Sequence, residues 1–408
     1  SVIDGTYYRW VDGNKNLRED ALRWGRRLES RTFNHGQYEI EHSDPQAMAI
    51  RLKIEADGYL PAVSPPYFMD QFDVTFDAKL EPGQGPTGLV LGLDGKPLPN
   101  AHVVLSTKSL QAKLYQGKFH ASAYPETTTD GQGRFQFPPQ PEPYRIFVDH
   151  DRGCAEADQE QLEKSPELKI QPWGRVEGTI KRGSKVAAGM QLRLGTNANF
   201  WDAETAMPIL QGQQISSDER GRFVFERVMP ERVYLSLLFT LDRSSNHVGT
   251  ADRRVFTVEP GKTTFVDLGG TGRPITGRFV LPEGVRHDAV FPYYGQTLEL
   301  SRPGVSMPAD VPREKWDAWY HTWAQTEEGK AYEESLREYD TNVRPDGRFR
   351  IEDVGPGKYR LQAKVNEPGE GIPGSYGPEL AKCNVEIVVP EIPGGRSDEP
   401  LDLGTIEL

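Results

Sequence analysis

A turn followed by an amphipathic strand returns along this chain, and it constrains the fold more than any other feature. It reads Asp130-Gly131-Gln132-Gly133-Arg134-Phe135-Gln136-Phe137, then Asp218-Glu219-Arg220-Gly221-Arg222-Phe223-Val224-Phe225, then Asp346-Gly347-Arg348-Phe349-Arg350-Ile351. His35-Gly36-Gln37-Tyr38-Glu39-Ile40 is a weaker fourth copy. Asp can bond its own turn backbone, and Gly tolerates positive φ. Beyond the Gly the apolar residues alternate, which is the pattern of a strand with one buried face. Phe135, Phe137, Phe223, Phe225, Phe349 and Ile351 are therefore expected to point inward. A second strand follows each copy, at 144–148, 234–235, 359–361 and 50–54, twice after a Val-x-Pro connection (Val228-Met229-Pro230 and Val354-Gly355-Pro356). An opening strand with a Gly precedes three copies, at Gly88, Gly178 and Gly277. These openings lie about 90 to 100 residues apart, the period of a small sandwich domain.

Punctuation at Pro82-Gly83-Gln84-Gly85, Pro172-Trp173-Gly174 and Gly269 to Gly272 divides the 408 residues into four expected units, 1–82, 83–172, 173–270 and 271–408. The first starts at Tyr7-Tyr8-Arg9-Trp10 without an opening Gly strand and is expected to be a partial sandwich. Composition agrees. With 36% hydrophobic and 26% charged residues, the chain suits several small domains, each with much surface and little core. The 41 Gly and 32 Pro favour turns over long helices. The expected fold class is all-β: tandem sandwich domains with helical insertions in the first and last units.

The string Gly88 to Leu105, with its Asp94-Gly95 turn, followed by Thr129-Asp130-Gly131-x-Gly133-Arg134-Phe135, resembles the carboxypeptidase regulatory-like domain. The likeness is best over residues 84–171, good over 173–269 and 272–408, and partial over 1–82. It implies a transthyretin-like or Ig-like β-sandwich of about seven strands, related to collagen-adhesin B-type repeats. The junction Gln171-Pro172-Trp173-Gly174-Arg175-Val176-Glu177-Gly178 resembles those between such repeats in large planctomycete-type bacterial proteins. The resemblance implies a spacer or binding module, with a periplasmic or cell-surface location by family habit, and little about activity.

Two segments carry a helical period instead. In 310–340, Trp316, Trp319, Tyr320 and Trp323 fall at i, i+3, i+4 and i+7, with Tyr332, Leu336 and Tyr339 extending the stripe and Pro312 and Asp310 as its opening and cap. The spacing predicts one long helix from Pro312 to Tyr339. Its stripe either docks on the fourth sandwich or forms an exposed aromatic platform for sugar rings or a partner groove. Leu17, Ala21, Trp24 and Leu28 predict a second helix over 17–28, with Arg23, Arg26 and Arg27 on its solvated face. The second unit also has extra length, including Tyr115, Phe119 and Tyr124.

Chemistry-bearing motifs are sparse. The eight histidines form no HxH, HxxxH or HExxH, and Asp149-His150-Asp151 reads as a solvated loop. The turn aspartates lack the alternating acidic run of a calcium loop. There is no Gly-x-Ser-x-Gly elbow and no GxxxxGK[ST] loop, and Glu327-Glu328 and Glu333-Glu334 read as surface charge. No catalytic residue, metal or cofactor is expected. A net charge of −12 argues against nucleic acid, and no apolar run reaches the roughly 18 to 20 residues of a membrane helix. Cys154 and Cys383 fall in different expected units and are expected to be free thiols. No signal peptide is visible and the chain starts at Ser1, so it reads as a piece of something longer. The expected function is a non-catalytic structural and interaction array, a spacer or scaffold with a protein partner or flanking domains. The alternative is a carbohydrate-binding array using Trp316, Trp319, Tyr320 and Trp323.

Overall fold

The structure is a computed structural model that describes residues 5–12, 26–33, 35–39, 49–65, 67–68, 73–107, 112–119, 125–196, 210–242, 247–285, 290–291, 297–300, 308, 310–369 and 376–408. The chain forms two compact units, the first made mostly of residues up to Pro172 and the second mostly of residues from Trp173 on.

The first unit opens with one antiparallel sheet. Its strands are β1 (Gly5–Asp12), β2 (Arg26–Phe33), β3 (Ala49–Glu55), β4 (Ala62–Val63) and β5 (Tyr67–Phe68). They are ordered β2-β1-β3-β4, with β5 also on β3. This corrects part of the helix expected over 17–28. Residues 17–25, with Trp24 and Arg23, lie outside the described residues. Arg26, Arg27 and Leu28 belong to β2, where Trp10 pairs with Arg27 and Val11 with Arg26. Ladder bonding to β1 takes these backbone groups, so Arg26 and Arg27 lie on a strand, not on a helix face. The weak fourth repeat is a turn only. His35 and Gly36 have φ of 58° and 67°, but 37–39 join no ladder, and the Tyr38 hydroxyl donates to the Phe76 carbonyl.

The same unit continues with β6 (Thr87–Leu91), β7 (His102–Thr107), β8 (Lys113–Tyr115), β9 (Lys118–Phe119), β10 (Glu126–Thr128), β11 (Arg134–Gln136), β12 (Tyr144–His150), β13 (Gly153–Asp158), α1 (Gln159–Lys164) and β14 (Glu167–Lys169). Beyond Trp173 come β15 (Gly174–Thr179), β16 (Lys181–Arg182), β17 (Lys185–Val186), β18 (Gln191–Thr196), β19 (Leu210–Ser216), β20 (Arg222–Val228), β21 (Arg232–Asp242), β22 (His247–Thr257) and β23 (Thr263–Phe265). The last stretch holds β24 (Arg273–Val280), β25 (Thr297–Leu300), α2 (Trp316–Ala324), α3 (Glu327–Ser335), β26 (Glu338–Asp340), β27 (Arg348–Val354), β28 (Gly357–Pro368), β29 (Tyr376–Val389) and β30 (Leu401–Glu407).

These strands build the same sandwich three times. One layer has three strands, β11-β6-β14, β20-β15-β23 or β27-β24-β30. The other contains β10-β7-β12-β13, β19-β18-β21-β22 or β26-β25-β28-β29. Three separate cores fill the spaces, one around Val90, Leu105 and Ile146, one around Leu192, Leu194 and Leu235, and one around Ile275, Tyr359 and Leu361. The chain is thus a tandem all-β sandwich protein, as the repeat predicts. The six inward-facing residues are only 1–5% exposed. The ring pairs Phe135–Phe137 and Phe223–Phe225 share one edge-on geometry, with centroids 6.0 and 6.1 Å apart.

In every sandwich the opening strand is central, antiparallel to the Phe strand and parallel to the last strand. Its glycine lies directly across from the first Phe, as Gly88 from Phe135, Gly178 from Phe223 and Gly277 from Phe349. The ring lies over the missing side chain. A Cβ at these glycines would stand 2.6, 2.9 and 2.7 Å from the ring edge, inside any real contact distance. Space fixes these glycines, since none of the three has positive φ.

The turn glycine is fixed by conformation as well. Gly133, Gly221 and Gly347 have φ of 74°, 70° and 82°, and their carbonyls accept from Val90 and Phe279 of the opening strands and from Ile180 just past the end of β15. Asp130 Oδ1 accepts the Gln132 and Arg134 amides, both at 2.8 Å, and Asp218 repeats this with Arg220 and Arg222. The third copy departs. The backbone bonds of Asp130 and Asp218 are made there by Arg344, to Gly347 and Arg348. Asp346 sits two residues further on, where its Oδ1 accepts the Arg348 amide at 3.1 Å and its carboxylate lies 3.6 Å from the Arg348 guanidinium. The glycine, not the aspartate, is what the three turns share.

Candidate functional site

The candidate platform is the helical insertion between β25 and β26. It is not the single helix that the tryptophan spacing predicts. A 3-10 turn at Arg313–Lys315 leads into α2, the chain bends at Gln325-Thr326, and α3 follows. Pro312 stands just before the first turn with no side-chain cap, so Asp310 does not cap it. Thr326 caps α3 instead, its Oγ1 accepting the Gly329 amide at 3.1 Å. Gly329 lets the two helices touch: a Cβ there would lie 2.2 Å from the Trp323 carbonyl. Tyr339, expected on the helix, is a buried residue of β26.

The stripe itself holds together. Trp319 and Trp323 stack with centroids 6.0 Å apart and planes 11° from parallel. Trp323 also meets Tyr320 at 5.5 Å and, edge-on, Tyr332 of α3 at 5.5 Å. Trp319, Tyr320 and Trp323 are half-buried, whereas Trp316 is 39% exposed. The Trp316 indole donates to the Val311 carbonyl at 3.1 Å, and the Arg313 guanidinium lies 6.0 Å from its ring centre. Burial, with Glu333 nearby and hydrogen-bonded, pushes the Tyr320 phenol up to about 12.

The hairpin is anchored by α3, and its polar anchors are in the preceding sandwich. Arg232 of β21 donates to Glu333 at 3.0 Å, to Glu334 at 3.4 Å and to the Lys330 carbonyl at 2.9 Å. The Arg232 and Glu333 side chains are only 13% and 14% exposed. Beside it, Thr250 of β22 donates its amide and hydroxyl to Asp340, and Arg253 pairs with Glu338. The paired acids 333–334, expected to be surface charge, therefore do structural work. Sequence reasoning missed Arg232, although a lone Arg opening the strongly apolar run 233–241 was a signal.

Elsewhere, side chains expected to be inert are tied into local structure. His150 Nδ1 accepts the Arg152 amide, and His102 pairs with Glu126 at 3.0 Å. The backbone amides that Asp130 and Asp218 accept hold their carboxyls below the usual range. Among the described residues no group of three or more His, Cys, Asp or Glu is placed to hold a metal ion. Cys154 and Cys383 are free thiols, the first buried and the second half-buried, and burial pushes the Cys383 thiol up. No helix among the described residues is long and apolar enough to cross a membrane.

No family model matches the chain, and no curated protein matches it. Among solved structures it is similar to a shaft pilin of Lactobacillus rhamnosus GG, at 9% identity over 45% of this chain and 97% of the pilin, with a TM-score of 0.19. It is similar to the TIE protein of Bacillus anthracis at 11% identity, over 100% of this chain and 69% of that one, with a TM-score of 0.18. A streptococcal ancillary pilin aligns at 14% identity over 65% of this chain and 91% of the pilin, with a TM-score of 0.24. Scores this low carry no argument, and the sandwich assignment rests on the strand pairings of the chain itself.

Proposed function

We propose that the chain is a non-catalytic spacer or scaffold of four β-rich units, 1–82, 83–172, 173–270 and 271–408, that presents surface to a protein partner or holds flanking domains apart. Within this fold the carboxypeptidase regulatory-like repeats are the family the Gly88 to Phe135 string resembles. One observation supports the reading above others. In each sandwich the first and last strands are parallel neighbours, so the chain enters at one end of the ladder and leaves at the other. Tension along the chain then loads that ladder in shear, with its hydrogen bonds strained together rather than one after another. The pairing covers five residue pairs, from Ile275 to Val280, in the last sandwich, against three in the first and three with an added Ile180–Leu268 bridge in the middle one.

Single-molecule pulling on the full chain tests this. Separate unfolding events, one for each sandwich, with the strongest from the last, are expected. A single low-force opening would sink the spacer reading. The second reading, a glycan platform, is favoured by one feature, the exposed Trp316 ring with Arg313 beside it. Glycan retention that Trp316→Ala and Trp323→Ala both abolish would put that reading first.

A further inference from the structure

Gly269-Gly270-Thr271-Gly272 has the composition of a free linker, yet its backbone is held at every glycine. Gly269 donates its amide to Asp252 Oδ2 at 3.0 Å. Gly270 donates to the Asp353 carboxylate. The same carboxylate accepts the Gly183 amide, from the turn between β16 and β17, at 3.1 and 3.2 Å. Gly272 donates to the Gly395 carbonyl at 2.8 Å and accepts from Ser397 at 2.9 Å. All three glycines take positive φ, at 65°, 73° and 79°. There is no spare room: a Cβ at Gly269 would lie 2.0 Å from the Lys181 carbonyl, and one at Gly272 2.2 Å from that of Val354.

The two carboxylates come from opposite sides of the linker, Asp252 from β22 and Asp353 from β27. Each is itself left-handed, at φ of 48° and 56°. A non-Gly residue in that region is strained and persists only where its surroundings hold it. Asp252 is 3% exposed and also paired to Arg254 at 2.6 and 3.1 Å. A second attachment joins the same two sandwiches through Arg232, Thr250 and Arg253, which meet α3 and β26. Either attachment alone would leave rotation about itself, so the two hold the sandwiches only together.

We propose that Gly269–Gly272 is a carboxylate-locked joint that makes the last two sandwiches one rigid body. Distance measurement between spin labels on the full chain tests it, with labels at Glu219→Cys and Glu386→Cys in a Cys154→Ala, Cys383→Ala background. One narrow distance peak is expected, and Asp353→Asn, which keeps an acceptor oxygen, should leave it narrow. Gly269→Ala with Asp353→Ala should lose the single peak. A broad distribution before any joint substitution overturns the proposal, as does a narrow peak in the double variant. Should that variant lose its β-sheet circular dichroism, a Gly-Ser-Gly-Ser insertion after Thr271 replaces it, with the same two outcomes.

Discussion

Gly178 and Phe223 are the two halves of one contact, and their substitutions are expected to fail for opposite reasons. Phe223→Ala empties a site that is 2% exposed and should cost about 3 to 5 kcal/mol. Gly178→Ala overfills it. The new Cβ would lie 1.8 Å from the Val266 carbonyl and 2.9 Å from the Phe223 ring, and overpacking of this kind costs about 1 to 3 kcal/mol. Denaturant melts of both variants check this, and a Gly178→Ala protein as stable as the parent would show that the ring does not sit over the glycine. Both residues were legible in the sequence, the Phe by alternation and the Gly by its return in each opening strand. That they touch was not, because contact depends on register between strands about 45 residues apart, which no local pattern states. Asp346 shows the reverse error. Its Asp-Gly looks like the other turns, but in the structure Arg344 takes the equivalent place.

The helices were legible in part. Asp158 and Gln161 form a capping box at α1, with Leu162 buried beneath, and the Asp-x-x-Gln spacing was there to be read. The tryptophan stripe did mark α2. Its run into α3 was broken by Thr326 acting as a cap and by Gly329 needed for close approach, so one period became two short helices. Arg232→Ala is expected to weaken the hairpin's hold, because the largely buried Glu333 would lose the guanidinium that pairs with it. A loss of about 2 kcal/mol is expected, in the range for hydrogen bonds to charged groups. Acrylamide should then quench Trp319 and Trp323 fluorescence more strongly, with Trp316 changed least. Unchanged quenching would mean that Arg232 does not anchor the helices.

For the whole molecule, the fold class followed from the repeat period, while the attachments between the last two sandwiches did not, since they pair residues about 80 to 170 positions apart across different repeats. The unequal embedding has a measurable outcome. Residues 83–172 hold a core of their own, so that fragment is expected to melt as a cooperative unit. A fragment of 173–270 would lose the partners of Arg232, Thr250 and Arg253, and should melt at lower temperature than the same strands in the full chain. Equal melting in both contexts would show that those contacts carry no stability. The parallel first and last strands also bear on synthesis. The strand that completes each sandwich is its last-made segment, so none can close until it is fully translated. The three Gly-Phe contacts are interchangeable in kind, so a chain diluted whole from denaturant offers each opening strand two rivals to its own partner. Growth from the N-terminus presents those partners one at a time, and correct assembly should therefore be more efficient during translation than on refolding.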